Sequence, residues 1–470
     1  MTTGSPTTTF TDVEVDGQRV DVTVADGRIA DVGRSLPRIG DHRVDGGGAA
    51  LIPGLHDHHL HLLAMAAARH SLDLAGCSGA TDADAAITAA HRAHLPGRWL
   101  RVVGADERHG SFDRQRLDHL APGRCVRVQH RSGAAWSVST AGVAALATEG
   151  VVLAEVPQDG WIHRHDGDLR RGWDDEPLDL GPIGWQLAAA GVTGVTDATP
   201  YEDDGGFAVL AAACQRGALP QHVMVTGSPR LAGQPPPHPL TSGPVKVIVA
   251  DEALPSPDEL IEAFRQARAA GRPVAVHCVT RIGLVLALIA WDEIGALEGD
   301  RIEHGSVIPI ELVERIGEHG LRVVTQPAFI AERGDRYLDE VEPDDVPHLY
   351  RCASLIDAAI DVGGSTDAPF GPADPWLAIA TAITRATGSG RCVGGHEGLA
   401  PRRALDLFLG RPTHPGGPAR RIEPGAPADL CLLEGPLDDI LRAPSADRVA
   451  GCWIGGTPVA GAVDSVPPHA

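Results

Sequence analysis

Alternating apolar and polar residues mark both ends of the chain as β-structure. Near the amino terminus, VEVDGQRVDVTVADGRIADVG keeps a period of two and is interrupted by Asp-Gly pairs at 16–17 and 26–27, which favour tight hairpin turns. Near the carboxyl terminus, ADLCLL and RVAGCWIGGTPVAG are typical of short strands, the second turning at the Gly-Gly pair at 455–456. We therefore expect residues 1–52 and 412–470 to form one small β-sandwich domain built from both termini.

The middle of the chain changes to a longer period. After the apolar segment VKVIVA, the stretch SPDELIEAFRQARAAG predicts a helix with Ser256 as N-cap, Glu259 completing a capping box and Gly271 at the end. Buried strands PVAVHCV, DRIEHGSV and LRVVTQPA follow, separated by further helical patterns. Strands that alternate with helices predict a parallel sheet. Closed into a ring, this sheet gives an α/β fold, a (β/α)8 TIM barrel over residues 53–411, with its chemistry at the carboxyl ends of the strands.

Residues 63–185 do not follow this rhythm. We interpret them as a subdomain inserted after the first barrel strand, where it would form a wall of the pocket. Within it, the segment QHRSGAAW carries His130 and Trp136, and we expect both to line the substrate pocket from the insertion.

Polar residues that bind metals lie in or at the ends of successive predicted strands. In PGLHDHHLHL, His59 and His61 are two positions apart, and residues i and i+2 of a strand point to the same side. The remaining members of the set, in strand order, are Lys246, His277, His304 and Asp367. Imidazole nitrogens and a carboxylate oxygen suit zinc or a similar divalent ion.

Each of these residues alone is weak evidence for a metal site, but the whole set, occurring in strand order, is strong evidence for one. His56 and His58 crowd the same segment, and either could take the ligand register instead, although the position after Pro-Gly favours His59 and His61. Gln326 ends the candidate seventh strand and could contact substrate or form a structural turn. Further candidates for supporting or capping roles are Asp197, Asp251 and Glu303.

The segments PGLHDHHLH, VK, VAVH, RIEHG and GGSTDAPFGPADP resemble the amidohydrolase superfamily, and in particular amidohydrolase family 3, which includes N-substituted formamide deformylases. The segment EPGAPADLCLLEG is similar to the point where that family returns to its β-sandwich. One departure concerns substrate: many family members have a long lid after the lysine strand, whereas here DEALPSPDEL leads directly into a helix.

The resemblance implies a centre of two divalent metal ions, with zinc expected. His59, His61 and Asp367 would bind the more buried ion, and His277 and His304 the second. Lys246 would bridge the two ions as a carbamate, N6-carboxylysine. It is the chain's only lysine, and arginine could not replace it, because a guanidinium stays protonated and would repel the ions.

The family pattern also implies the reaction. A metal-bridging hydroxide would attack the C–N bond of an amide, formamide or cyclic amide, with Asp367 as general acid and base. Two alternatives remain open: a mononuclear metal-dependent deaminase of the same superfamily, against which Lys246 counts, and a non-catalytic scaffold descended from the same barrel. The metal content would separate the three readings.

Composition limits the partners. A formal net charge of -22 argues against nucleic acid as a partner, so a small-molecule substrate is expected. The 8 cysteines include no C-x-x-C pair, which favours free thiols in a reducing compartment. With neither a signal peptide nor a membrane-spanning run in the sequence, we expect a cytoplasmic protein, for which a homodimer is the default assembly.

Overall fold

The computed structural model describes residues 7–36, 42–93, 99–131, 133, 135–148, 150, 161–163, 178–251 and 253–461. The chain divides into two compact units. The larger unit contains Met1–Leu62 and Leu180–Ala470, and the smaller unit is Leu63–Asp179. Across the described residues, no helix is both long enough and apolar enough to cross a lipid bilayer.

Helices and strands alternate through most of the chain. The helices are α1 Leu62–Ala68, α2 Ala80–Ala93, α3 Arg114–Leu120, α4 Thr140–Thr148, α5 Gly181–Ala189, α6 Gly205–Gln215, α7 Pro257–Ala269, α8 Arg281–Ile294, α9 Ile310–Glu318, α10 Ala328–Glu340, α11 Ala353–Asp357, α12 Pro375–Thr384, α13 Pro401–Asp406 and α14 Leu437–Arg442. The strands are β1 Thr8–Val15, β2 Gln18–Ala25, β3 Arg28–Gly33, β4 His42–Asp45, β5 Leu51–Pro53, β6 Leu55–Leu60, β7 Leu72–Asp73, β8 Leu100–Ala105, β9 Val126–His130, β10 Ala135–Val138, β11 Trp161–His163, β12 Val192–Asp197, β13 His222–Val225, β14 Thr241–Ser242, β15 Val245–Ile248, β16 Val274–Cys278, β17 Arg301–His304, β18 Arg322–Thr325, β19 Val362–Gly364, β20 Leu430–Leu433, β21 Val449–Ile454 and β22 Thr457–Ala460.

The chain termini contribute two four-stranded sheets, ordered β3-β2-β1-β4 and β22-β21-β20-β5. Apolar residues from both sheets form one buried cluster. Within it, the rings of Phe10 and Trp453 meet edge to face with their centroids 4.8 Å apart. The assignment of residues 1–52 and 412–470 to a single β-sandwich domain stays a prediction, and residues 1–6, 37–41 and 462–470 lie outside the described part.

The central strands are parallel, as the alternating pattern predicts, but within the described residues their pairing does not form the single closed ring expected of a (β/α)8 barrel. They form two sheets, β14-β13-β12-β6 and β15-β16-β17-β18-β19. Between the sheets, the backbone N–H of Lys246 donates to the carbonyl of Gly227, and that of Asp367 donates to the carbonyl of His59, both at 2.8 Å. The strands at these sheet edges are short, with two residues in β14 and three in β19.

Helices support the parallel sheets as their sequence predicts. The capping box at the start of α7 is confirmed: the Ser256 hydroxyl accepts from the backbone N–H of Glu259, whose carboxylate accepts from the backbone N–H of Ser256. The rings of Phe264 in α7 and Trp291 in α8 pack with centroids 5.2 Å apart. Strands β12, β17 and β18 are buried at every residue, as expected for a sheet covered on both faces.

The smaller unit contains a five-stranded sheet ordered β11-β10-β9-β8-β7. Strands β7, β8 and β9 run parallel, and β10 and β11 continue the sheet in antiparallel order. A buried apolar cluster that includes Ile87, Phe112 and Val128 forms the core of this unit. The proposed insertion boundaries, 63–185, stay a prediction.

The contact between Phe10 and Trp453 generates a stability prediction. Trp453 is 2% exposed, so Trp453→Ala should destabilise the larger unit by about 3–5 kcal/mol through lost burial and the cavity left behind. Urea unfolding followed by circular dichroism measures this. Trp185→Ala is the matched control, because Trp185 is 62% exposed and its removal should change stability by no more than about 0.5 kcal/mol. Equal effects of the two variants would contradict the assigned core.

Candidate metal centre

Two imidazoles at the end of β6 face one carboxylate. The Nε2 atoms of His59 and His61 lie 3.5 and 3.2 Å from Oδ1 of Asp367. One ligand atom from each of the three residues can be chosen so that all lie within 4.8 Å of one another. Two nitrogens and one oxygen at this spacing form a donor set that suits zinc or a similar divalent cation.

The outer nitrogens of the two rings are held by neighbouring side chains. Nδ1 of His59 hydrogen-bonds to the carboxylate of Glu303, and Nδ1 of His61 lies 2.9 Å from the hydroxyl of Thr199. These contacts leave both Nε2 atoms directed at Asp367, whose Oδ1 is buried without a hydrogen-bond partner in the described part of the chain. Lone pairs that converge on a buried carboxylate oxygen fit a bound cation, and outer partners of this kind orient metal ligands.

The other predicted ligands lie beside this group. Nζ of Lys246 is 3.3 Å from Nε2 of His59. The ring of His304 lies with its centroid 4.4 Å from that of His277 and 4.8 Å from that of His59, and its Nδ1 is 3.9 Å from Oδ2 of Asp367. The structure therefore brings all six predicted ligand residues into one cluster.

Two members of the cluster have left-handed backbone conformations. His304 has a φ of 68° and Asp367 a φ of 55°, values that are uncommon outside glycine and are frequent at functional sites. Along a regular strand, neighbouring side chains point to opposite faces. The left-handed backbone at the end of β17 changes this direction. The side chain of His304 therefore lies in the same cluster that its chain neighbour Glu303 contacts.

Burial keeps the ligands in the forms that bind metals. It lowers the pKa of His59 to about 3, with a further contribution from the charge of Lys246, so this imidazole is neutral near pH 7. Burial likewise lowers the pKa of His277 and of His304. The pKa of the Lys246 amine is also lowered by burial. Neutral imidazoles carry the free lone pair that coordination requires.

Asp57 joins the two chain segments that carry the ligands. Its Oδ1 accepts from the backbone N–H groups of His59 and Thr366 at 3.1 and 3.2 Å, and its Oδ2 accepts from the Thr366 hydroxyl at 2.5 Å. Burial raises the pKa of Asp57 to about 7. This carboxyl therefore fixes β6 against the residue just before Asp367.

The alternative ligands in β6, His56 and His58, lie outside the candidate metal-binding group. Nε2 of His56 is 3.0 Å from the hydroxyl of Thr196. The ring of His58 lies beside that of His56, with centroids 4.7 Å apart. Neither belongs to the cluster of His59, His61 and Asp367, so the geometry favours the register that the Pro-Gly position indicates.

Gln326 is fully buried beside His304. Its Oε1 accepts from Nδ1 of His304 at 3.0 Å, and its Nε2 donates to the hydroxyl of Ser365 at 2.9 Å. The amide thus orients a predicted ligand, and the substrate contact expected for Gln326 stays a prediction.

His130 and Trp136 belong to the smaller unit. Nε2 of His130, at the end of β9, is 3.5 Å from Oε1 of Glu107. Trp136, in β10, is 7% exposed and packs in a small apolar cluster with Val138 and Leu146. The pocket-lining role expected for both residues stays a prediction.

The structure gives specific partners to Asp197 and Glu303, which the sequence offers as supporting candidates, and adds Arg301, which the sequence does not indicate. Asp197 accepts from the backbone N–H groups of Leu62 and Thr199 and so holds the segment that places Thr199 beside His61. Arg301 forms a buried ion pair with Glu303. For Asp197 and Glu303, positions at strand ends were the available sequence signal, but nothing in the sequence indicates which partner each one contacts.

Comparison with known proteins places these residues in a family context. The model of the amidohydrolase family matches residues 43–460. An N-substituted formamide deformylase of Arthrobacter pascens is 24% identical over 88% of this chain and 89% of its own length. The provisionally assigned amidohydrolase YtcJ of Bacillus subtilis (strain 168) is 32% identical, but this match covers only 26% of the chain and 23% of that protein.

A solved structure shares the fold. An uncharacterised metal-dependent hydrolase from Pyrococcus horikoshii OT3 superposes with a TM-score of 0.74 at 21% identity, covering 92% of this chain and 98% of the other. At this level of identity the likeness concerns the fold alone.

The geometry predicts the effect of removing one ligand. His61→Ala should lose the ion held with His59 and Asp367, because two donors do not replace three in a site of this type. Metal content per chain, measured by inductively coupled plasma mass spectrometry after zinc loading, checks this. His396→Ala is the control, since the His396 side chain is 62% exposed. An unchanged metal content in His61→Ala would contradict the assignment.

Proposed function

The chain belongs to the amidohydrolase family, and on that premise we propose that it is a metal-dependent hydrolase that cleaves the C–N bond of an amide, formamide or cyclic amide. The main support is the convergence of Nε2 of His59 and His61 on Oδ1 of Asp367 in a buried site. The formamide in this substrate class is suggested by the name of the Arthrobacter relative. A small molecule is therefore the proposed partner.

We assign the six clustered residues to two divalent ions, with zinc as the proposed metal. His59, His61 and Asp367 would hold one ion, and His277 and His304 the other. Lys246 would contribute to both as a carbamate: its neutral amine would add to carbon dioxide, forming an N–C bond as one C=O π bond opens to leave its electron pair on oxygen, and the amine proton would be released to solvent. The position of its Nζ, buried and 3.3 Å from Nε2 of His59, supports this role, because a carbamate formed there would add two oxygen donors beside a predicted ligand.

When bound, the ions would supply Lewis acidity that activates water and polarises the scissile carbonyl. Among the protein residues, Asp367 is the one proposed to transfer protons. Its Oδ1 faces His59 and His61 and its Oδ2 faces His304, which supports a role for this carboxylate in taking a proton from the attacking water. The same carboxyl would then return this proton to the leaving nitrogen as the C–N bond breaks.

The substrate class can be tested by direct assay. Zinc-loaded protein should hydrolyse at least one member of a panel of N-formyl, N-acyl and cyclic amides, detected as release of amine or carboxylate. Activity that disappears with a chelator and returns with zinc would support the proposal. A panel with no turnover above the buffer rate would contradict it.

Lys246→Arg tests the bridging role. The guanidinium of this variant stays protonated, so it cannot form a carbamate and would repel cations. We therefore expect fewer metal ions per chain and activity reduced by at least about 10- to 100-fold. Arg272→Lys serves as a control, because Arg272 hydrogen-bonds to backbone carbonyls such as that of Gly243 and has no proposed part in the reaction. A Lys246→Arg enzyme as active as the parent would refute the bridge.

Asp367→Asn tests the proton-transfer role separately from metal binding. The amide oxygen can still serve as a ligand, but the side chain can no longer take up or release the proton, so we expect kcat to fall about 10²- to 10⁴-fold with metal still bound. Steady-state kinetics and metal analysis on one sample measure both. Asp361→Asn, a change just before β19 at a half-exposed carboxylate paired with His414, should leave kcat unchanged. Substantial activity in Asp367→Asn would exclude this residue as the proton carrier.

A further inference from the structure

We propose that Glu303 and Arg301 are positioning residues: Glu303 fixes the ring of His59 so that Nε2 faces the metal, and Arg301 fixes Glu303. This inference rests on the metal site proposed above. It adds two residues that are not among the six predicted ligands and that act through His59.

The contacts form a continuous chain through the interior. Nε of Arg301 lies 2.6 Å from Oε1 of Glu303, while Oε2 of the same carboxylate accepts from Nδ1 of His59. Each carboxylate oxygen therefore has its own partner. Glu303 and Arg301 are 0% and 1% exposed, so bulk water does not compete for these bonds.

Arg301 also contacts the strand that carries His59. Its Nη2 donates to the backbone carbonyl of His58 at 3.3 Å. The guanidinium thus holds both the carboxylate that orients the ring and the backbone directly before it. Arg301 therefore connects strand β17 to strand β6 at the residue next to His59.

The partners of His59 determine which of its two ring nitrogens carries the hydrogen. A carboxylate beside a guanidinium is ionised and can only accept hydrogen bonds, so the hydrogen of His59 must be on Nδ1. The lone pair is then on Nε2, which faces Asp367 and Lys246. A carboxylate behind a ligating histidine also makes the imidazole a stronger donor, and its loss typically weakens metal affinity by about 10- to 100-fold.

The chain contains a matched ion pair without this role. Glu397 is also 0% exposed, and its carboxylate pairs with Nη1 of Arg351 at 2.7 Å. Its other partners include the Ser354 hydroxyl and the backbone N–H of Cys352, at the start of α11. Glu397→Gln therefore makes the same chemical change at the same burial, away from the predicted ligands.

Glu303→Gln is the decisive variant. The amide replaces one of the two carboxylate oxygens with an NH2 group, so where Oε1 and Oε2 now face Arg301 and His59 one position would set a donor against a donor. We expect zinc affinity, measured by competition with a chromophoric chelator, to fall about 10- to 100-fold and the visible spectrum of the cobalt-loaded protein to change. Glu397→Gln should lower the unfolding midpoint but leave zinc affinity and the cobalt spectrum as in the parent.

Arg301→Lys is the second variant, for use if Glu303→Gln does not fold. It keeps the charge but removes the second donor to the His58 carbonyl, and we expect a fall in zinc affinity of about tenfold. Parent-like affinity and spectrum in every folded variant of Glu303 and Arg301 would overturn the inference while leaving the metal site intact. A parent protein that binds no zinc would instead overturn the proposed function.

Discussion

Strand β6 and the segment that follows β19 must meet at a buried point, because the first carries His59 and the second carries Asp367. Asp57 and Thr366 are 309 positions apart in the chain, yet the carboxyl of one accepts from the backbone N–H and hydroxyl of the other. The backbone N–H of Asp367 bonds to the carbonyl of His59 at 2.8 Å. If this junction separated, His59 and Asp367 would no longer share a site, so the whole centre depends on it.

Around the junction, three of the six predicted ligands are held by partners that do not themselves need to bind metal. Glu303 holds His59, Thr199 holds His61, and Gln326 holds His304. These supports are buried, where hydrogen bonds are stronger and unpaired polar groups cost more. The cluster is therefore organised by the protein, and a cation entering it would meet ligands that already point inward.

Much of this site could be predicted from the sequence, because its ligand types occur in order at strand ends. The i and i+2 spacing of His59 and His61 placed them on one side of a strand, and the lone lysine identified Lys246. The left-handed backbone at His304 and the partners of Glu303 could not be predicted, since both depend on contacts between distant segments. The fold shows the same limit on prediction from sequence. Parallel strands were predicted, but their division into two sheets could not be, since it depends on how far each pairing between distant strands extends.

Anomalous X-ray diffraction from zinc-loaded crystals is the most direct test of the centre. The account predicts one anomalous peak at about 2.0–2.2 Å from Nε2 of His59, Nε2 of His61 and a carboxylate oxygen of Asp367. A second peak is predicted beside His277 and His304, with density for a carbamate on Lys246 between the two. Absence of any peak at the first position in zinc-saturated crystals would contradict the central claim.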